Sequence, residues 1–280
     1  MDSSSQLPPT IADRLSVIQQ ESTLGAAADL EHGIRLLQAA RNGQLSPSLR
    51  FYLPQPTVAF GQRDTRLPGF ETARQACLDH GFTPLVRRAG GRAAAYHQGC
   101  LVVDHVEPSG DSIAGTKQRF AFFSDLLTEA LRSTGVNAGV GEIPGEYCPG
   151  EYTVHGIPNG PNESLVADAG ENPQELDVPP TAVKLVGTAQ RVVSGAWLFS
   201  SSVVVEGSAS IRAVLIDVYA ALDLEWNPAT AGAAEDLVPG LTVDKVQTAI
   251  LTSYSTQATL QPGSFEHFAS HTTTAANPPR

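Results

Sequence analysis

Hydrophobic residues return along this chain in two rhythms. Between Leu24 and Asn42, Leu30, Ile34, Leu36 and Leu37 recur at helical spacing among Ala, Glu and Arg, and Gly43 follows as a stop, which predicts an amphipathic helix. A second helix over roughly 117–134 carries Phe120, Phe123, Leu126, Leu127, Ala130 and Leu131 on one side and so faces a core. Further helices are predicted at about 69–80, 209–222 and 242–254. The other rhythm is that of strands. Phe51–Leu53, Thr57–Phe60, Thr83–Val86, Tyr96 with Leu101–Val103, and segments near 139–143, 152–155, 182–192 and 197–205 are short runs rich in β-branched or aromatic residues, punctuated by Gly and Pro. The last of these, WLFSSSVVVEG, is the clearest strand of the chain.

Clusters of strands interrupted by helices, without regular βα alternation, predict an α+β fold with a mixed, mostly antiparallel sheet flanked by helices. Residues 1–22 are polar with two prolines and read as a mobile N-terminal arm. Residues 23–207 read as the core, 208–262 as a C-terminal helical segment packed on it, and 263–280 as a disordered tail. Within the core, 156–181 is rich in Gly, Pro and Asn and reads as a flexible insertion, whose acids Glu163, Asp168, Glu171, Glu175 and Asp177 meet no base before Lys184.

Composition narrows the classes of function. With 41% hydrophobic and 17% charged residues, the chain can bury a sizeable core. Its 18 Lys and Arg against 29 Asp and Glu leave a formal charge of −11, which argues against nucleic acid or an anionic membrane as partner. The start of the chain lacks a secretory signal, no stretch approaches the roughly 18 apolar residues of a membrane span, and three cysteines make a poor disulfide framework. Together these predict a cytoplasmic protein.

Four places invite chemistry. Arg87-Arg88-Ala89-Gly90-Gly91-Arg92 sets three guanidinium groups around a Gly-Gly pair, fit either to grip an anionic group or to form a surface hairpin turn with solvated arginines. Cys148, within GEYCPG, sits on a Gly/Pro-rich turn. It is either a nucleophile, which needs a neighbouring cation to favour the thiolate, or an unreactive thiol partly covered by the sheet. Lys184 opens KLVGTAQR inside an apolar strand, where an ammonium needs a partner or a cleft unless the strand is an edge that the lysine guards. Cys77-x-x-His80 and His97-x-x-Cys100 imitate zinc-ligand spacing, but one pair falls on a predicted helix and the other on a strand, and no metal site is expected.

Taken in order, RRAGGRAAAYHQG, GEIPGEYCPGEYTV, KLVGTAQR and WLFSSSVVVEG resemble the biotin/lipoate protein ligase and lipoyl/octanoyl transferase superfamily over roughly residues 25–225. The GEI-x-G-x-YCPG-x-Y block is most similar to the cysteine-dependent octanoyl and lipoyl transferases that move an acyl group between lipoyl-carrier proteins. ATP-dependent lipoate ligases share the arginine-glycine loop and the lysine strand without requiring the cysteine. The resemblance implies a biotin/lipoate ligase-like core related to class II synthetases. It implies an acyltransferase in which Cys148 accepts an octanoyl or lipoyl group as a thioester and Lys184 reaches toward the acyl carbonyl. Arg88, Gly90, Gly91, Arg92, Tyr96, His97, Gly187 and Gln190 are implied to border the substrate, although His97-Gln98-Gly99-Cys100 departs from the polar residues of other members. Implied partners are a glycine-cleavage carrier, a lipoyl domain of a 2-oxoacid dehydrogenase subunit or an acyl-carrier protein, and no cofactor is required. Two alternatives stay open. One is a lipoate-protein ligase that uses ATP and Mg²⁺ to form a lipoyl-adenylate, its phosphate handled by Arg88 and the Gly90-Gly91 loop. The other is a non-catalytic protein that binds lipoyl domains or lipoate.

Overall fold

The structure, a computed structural model, describes residues 11–158 and 181–265. Its main sheet is built from β1 (Arg14–Gln20), β2 (Ser48–Tyr52), β6 (Cys100–Pro108), β7 (Ala138–Val140), β8 (Val154–Gly156), β9 (Val183–Val193), β10 (Ala196–Val204) and β11 (Thr259–Pro262). Side by side these run β11-β1-β2-β6-β10-β9-β8-β7. Strand β1 is parallel to both its neighbours, and the other adjacent pairs are antiparallel. A smaller sheet sets β3 (Thr57–Phe60) between β4 (Thr83–Val86), parallel to it, and β5 (Ala94–Tyr96), antiparallel. The helices are α1 (Ala26–Arg41), α2 (Phe70–Asp79), α3 (Thr116–Ser133), α4 (Ser208–Ala221), the single turn α5 (Ala234–Leu237) and α6 (Val243–Ser255).

Strand β10 shows how the period of two divides the molecule. Trp197, Phe199 and Val203 face one core with Phe123, Leu127 and Leu131 of α3 and Val246, Ile250 and Tyr254 of α6. Leu198 points the other way, into a cluster with Leu36 and Leu37 of α1, and Val204 joins a third cluster formed by the small sheet, α2 and α4. Between Leu198 and Val204, Ser200 and Ser202 face neither cluster and line a cavity instead. The sheet is thus covered on one face by α3 and α6, and the site lies on the other.

Several sequence expectations change. The mobile arm over 1–22 holds β1, because Leu15 and Ile18 are buried and Gln20 is used inside: its Oε1 accepts from Nε (2.9 Å) and Nη2 (2.6 Å) of the fully buried Arg50. Arg50 also pairs with Asp29 at 3.2 Å and Asp104 at 3.0 Å, so a strand that reads as polar is bound by polar contacts. Residues 1–10 lie outside the described residues. The helical C-terminal segment ends in a strand, β11, which pairs with β1, so the core reaches beyond 23–207 at both ends. At the start of the expected tail, Gly263 N–H donates to Val17 O at 2.7 Å and the Phe265 ring meets His32, while 266–280 lie outside the described residues. Of the insertion 156–181, Gly156 belongs to β8, and 159–180 are outside the described residues. Among the described residues no helix is long and apolar enough to cross a membrane.

Candidate active site

Cys148 stands on the turn between β7 and β8 with φ 45°, a left-handed backbone uncommon for a residue with a side chain. The turn is held by Tyr219 of α4. The Cys148 N–H donates to the Tyr219 hydroxyl (2.8 Å), which in turn donates to Ala93 O (3.0 Å), just before β5. Burial pushes the Tyr219 phenol far up, so it stays protonated and keeps both bonds.

Two N–H groups point at the cysteine sulfur. The Arg92 backbone amide donates to Sγ at 3.2 Å and Arg87 Nη2 at 3.4 Å, and the same Arg87 nitrogen donates to Arg92 O at 2.7 Å. They sit where negative charge on sulfur would form. Gly91 makes the approach possible. Its φ is 102°, and a Cβ there would lie 2.4 Å from Arg87 Nη2 and 2.8 Å from Cys148 Sγ. Because β4 and β5 each pair with β3 and not with each other, the Arg87–Arg92 segment is not a surface hairpin turn.

Lys184 is 3% exposed on β9, an interior strand between β8 and β10, so the edge-guard reading does not hold. Its ammonium donates to Cys148 O at 2.8 Å and Tyr147 O at 3.1 Å, and lies 2.9 Å from Glu146 Oε2. The lysine therefore grips the backbone of the cysteine turn while the arginine side supplies the donors to sulfur.

These groups open on a cavity of ≈ 930 Å³ between the sheet, α1, the small sheet and the first turn of α3. Of the residues expected to border substrate, Arg88, Gly90, Gly91, Tyr96, Gly187 and Gln190 line it together with Cys148 and Lys184. Gln190 is held in place by Arg119 Nε, which donates to its Oε1 at 2.6 Å. Two residues are placed differently. The Arg92 guanidinium turns away to Asp64 (3.0 Å) and offers the site only its backbone amide. His97 pairs through Nε2 with Gly207 O (3.1 Å) and accepts from Gly99 N–H at Nδ1 (2.8 Å), so its ring is committed beneath α4 and does not line the cavity.

The cysteine-histidine pairs do not converge. Cys77 donates to Ala73 O (3.1 Å), His80 pairs with Asp217 (2.7 Å), and burial pushes the thiols of Cys77 and Cys100 up to about 12. Among the described residues no three His, Cys, Asp or Glu side chains are grouped to hold a metal. The arginine-glycine string points to Arg87 only as one of three anion-binding guanidinium groups, and no motif points to Glu146, Tyr219 or the cavity-lining pair Tyr52 and Asp104. Glu146 stands two residues before Cys148 in the same turn, whereas Tyr52, Asp104 and Tyr219 come from β2, β6 and α4, and only the fold brings them to the site.

The cysteine turn, the lysine strand and the glycine loop around one cavity define a class: the chain matches the family model described as the lipoyl protein ligase A/B catalytic domain over residues 27–254, and it belongs to that family. Among curated relatives, the octanoyl-[GcvH]:protein N-octanoyltransferase of Geobacillus kaustophilus is 28% identical over 204 residues, covering 73% of this chain and 63% of that protein. Its counterpart in Exiguobacterium sibiricum is 29% identical over 178 residues, 62% of this chain and 55% of that protein. The chain thus matches less than two thirds of the length of either relative. Among solved structures, a lipoate-protein ligase A bound with ATP superposes with a TM-score of 0.65 at 17% identity over 93% of both chains, a likeness of fold.

Proposed function

We propose that this protein is an octanoyl or lipoyl protein acyltransferase that carries the acyl group on Cys148. What supports the reading above all is the half-buried sulfur of Cys148 at the cavity, with the Arg92 amide and the Arg87 guanidinium aimed at it. The names of the relatives, which act on octanoyl-[GcvH], support a lipoyl-carrier protein as donor. In the first half-reaction Sγ attacks the acyl carbonyl on the donor, the carbon–nitrogen bond to the donor lysine breaks, and that amine leaves with a proton. A thioester on Cys148 results. The ε-amine of a lysine on an acceptor lipoyl domain then attacks the thioester, the carbon–sulfur bond breaks, and the amide forms as the sulfur regains its proton. Arg87 and the Arg92 amide steady the sulfur as it attacks and as it leaves. Lys184, by exchanging a backbone carbonyl for the acyl oxygen, would stabilise charge there. The exchange of one lysine amide for another draws on no ATP, metal or redox cofactor, and we place the protein in the cytoplasm.

The test is direct. The protein is incubated with an octanoyl-loaded glycine-cleavage carrier without ATP and its intact mass is measured. A Cys148-linked octanoyl adduct, absent from Cys148→Ala, is expected. Activity that persists in Cys148→Ala and requires ATP and Mg²⁺ would instead establish a ligase. Carrier binding with neither adduct nor ATP-driven transfer would establish a binding protein.

A further inference from the structure

The Glu146 side chain is fully buried and has no part in the chemistry just described, yet it bonds both the lysine and the cysteine turn. Its Oε2 meets the Lys184 ammonium at 2.9 Å, Thr153 Oγ1 donates to both oxygens at 2.9 and 3.0 Å, and the N–H groups of Gly150 and Ile143 reach Oε1 at 3.3 and 3.4 Å. One carboxylate thus ties β9 to the chain on both sides of Cys148.

A lysine ammonium has three N–H donors. In Lys184 these are met by Glu146 Oε2, Tyr147 O and Cys148 O, three consecutive residues of the cysteine turn. None is left over for an arriving acyl oxygen. Lys184 can serve a substrate only by giving one up, and the carboxylate is the costly one to lose, because parting the pair leaves two buried charges uncompensated. The neutral carbonyls are the exchangeable partners.

We propose that Glu146 is the positioning residue of the acyl-transfer site. It anchors the Lys184 ammonium against the Cys148 turn, so that substrate displaces a backbone carbonyl and never the anchor. The proposal rests on the Cys148–Lys184 reading above.

Glu146→Gln keeps an acceptor for Thr153 and the two amides but removes the charge, and Glu146→Asp keeps the charge on a shorter arm. Single-turnover acylation of Cys148 by the octanoyl-loaded carrier is followed by intact mass in the parent, both variants and the double variant Glu146→Gln/Lys184→Met, with the thermal midpoint measured alongside. The expected result is a maximal acylation rate about 10²-fold lower in Glu146→Gln, with the half-saturating donor concentration held within about twofold, and recovery of about tenfold in Glu146→Asp. The double variant, with no buried charge left unpaired, should melt at or above Glu146→Gln and stay as slow, which separates the lost anchor from a weakened fold. A parental rate in Glu146→Gln, a change in half-saturation alone, or rate losses that track the thermal midpoint across the variants overturn the proposal and leave the Cys148 reading intact. No Cys148 adduct in the parent overturns both.

Discussion

A side chain at Gly91 and one at Gly90 would meet opposite circumstances, although the two residues are neighbours in the same loop. At Gly90 nothing lies within 4 Å of a Cβ, whereas at Gly91 the backbone is left-handed and the added carbon would collide with Arg87 and the Cys148 sulfur. Gly91→Ala is therefore expected to slow Cys148 acylation by about 10²-fold, since displacing a reacting group by an ångström costs that much, and single-turnover acylation rates check it. The three thiols differ as sharply. Cys77 and Cys100 are fully buried with their thiols pushed up to about 12, and Cys148 alone is partly open to solvent. Brief iodoacetamide treatment of the native protein at pH 8 should add one label, on Cys148, and three after denaturation, as mass spectrometry would read. The sequence made Cys148, Lys184 and the glycine pair visible, because a thiol on a Gly/Pro turn and a lysine in an apolar strand break the local rules. It could not show Arg87 at the sulfur or Glu146 at the lysine, since which donor meets which acceptor is fixed by the packing of β4, β5, β8 and β9 and not by spacing along the chain.

Tyr219 lies in an element whose own pattern announces only a buried helix. Its hydroxyl is the link by which α4 holds both the cysteine turn and the approach to β5, and Tyr219→Phe leaves the part-buried Cys148 N–H and the buried Ala93 O without that partner. A stability loss of about 1–3 kcal/mol is expected in urea unfolding, together with slower acylation. Helices were the most legible elements: the apolar stripe of α3 and the Gly43 stop after α1 placed them within a residue or two of their observed ends. Strand β1 was not legible. In RLSVIQQ the buried positions include Gln20, and a buried glutamine makes sense only once Arg50 is placed against it. Ile18→Ala, which empties a fully buried site in the cluster beneath α1, should cost about 2–5 kcal/mol and show in the same unfolding curves that β1 belongs to the core.

Across the whole molecule the acidic balance would by itself predict only a mild response to pH, but buried histidines add a direction. Burial, with the guanidinium groups of Arg50 and Arg35 nearby, pushes His32 from 6.5 to about 4, and burial also lowers His155. The unfolded chain takes up protons on these rings as the pH falls through about 6.5, and the folded one resists. Their contribution is therefore full above that pH and is lost on the way down to about 4. Calorimetry should find a lower melting temperature at pH 5 than at pH 7, and His32→Leu should shrink the difference. The pairing of β1 with β11 bears on a different event, the birth of the chain. The two strands lie far apart in the sequence, Arg14–Gln20 against Thr259–Pro262, so this edge of the large sheet forms only after all the residues between them have been made. Until Thr259–Pro262 arrives, the backbone N–H and C=O groups along that side of β1 remain an open template for pairing with another strand.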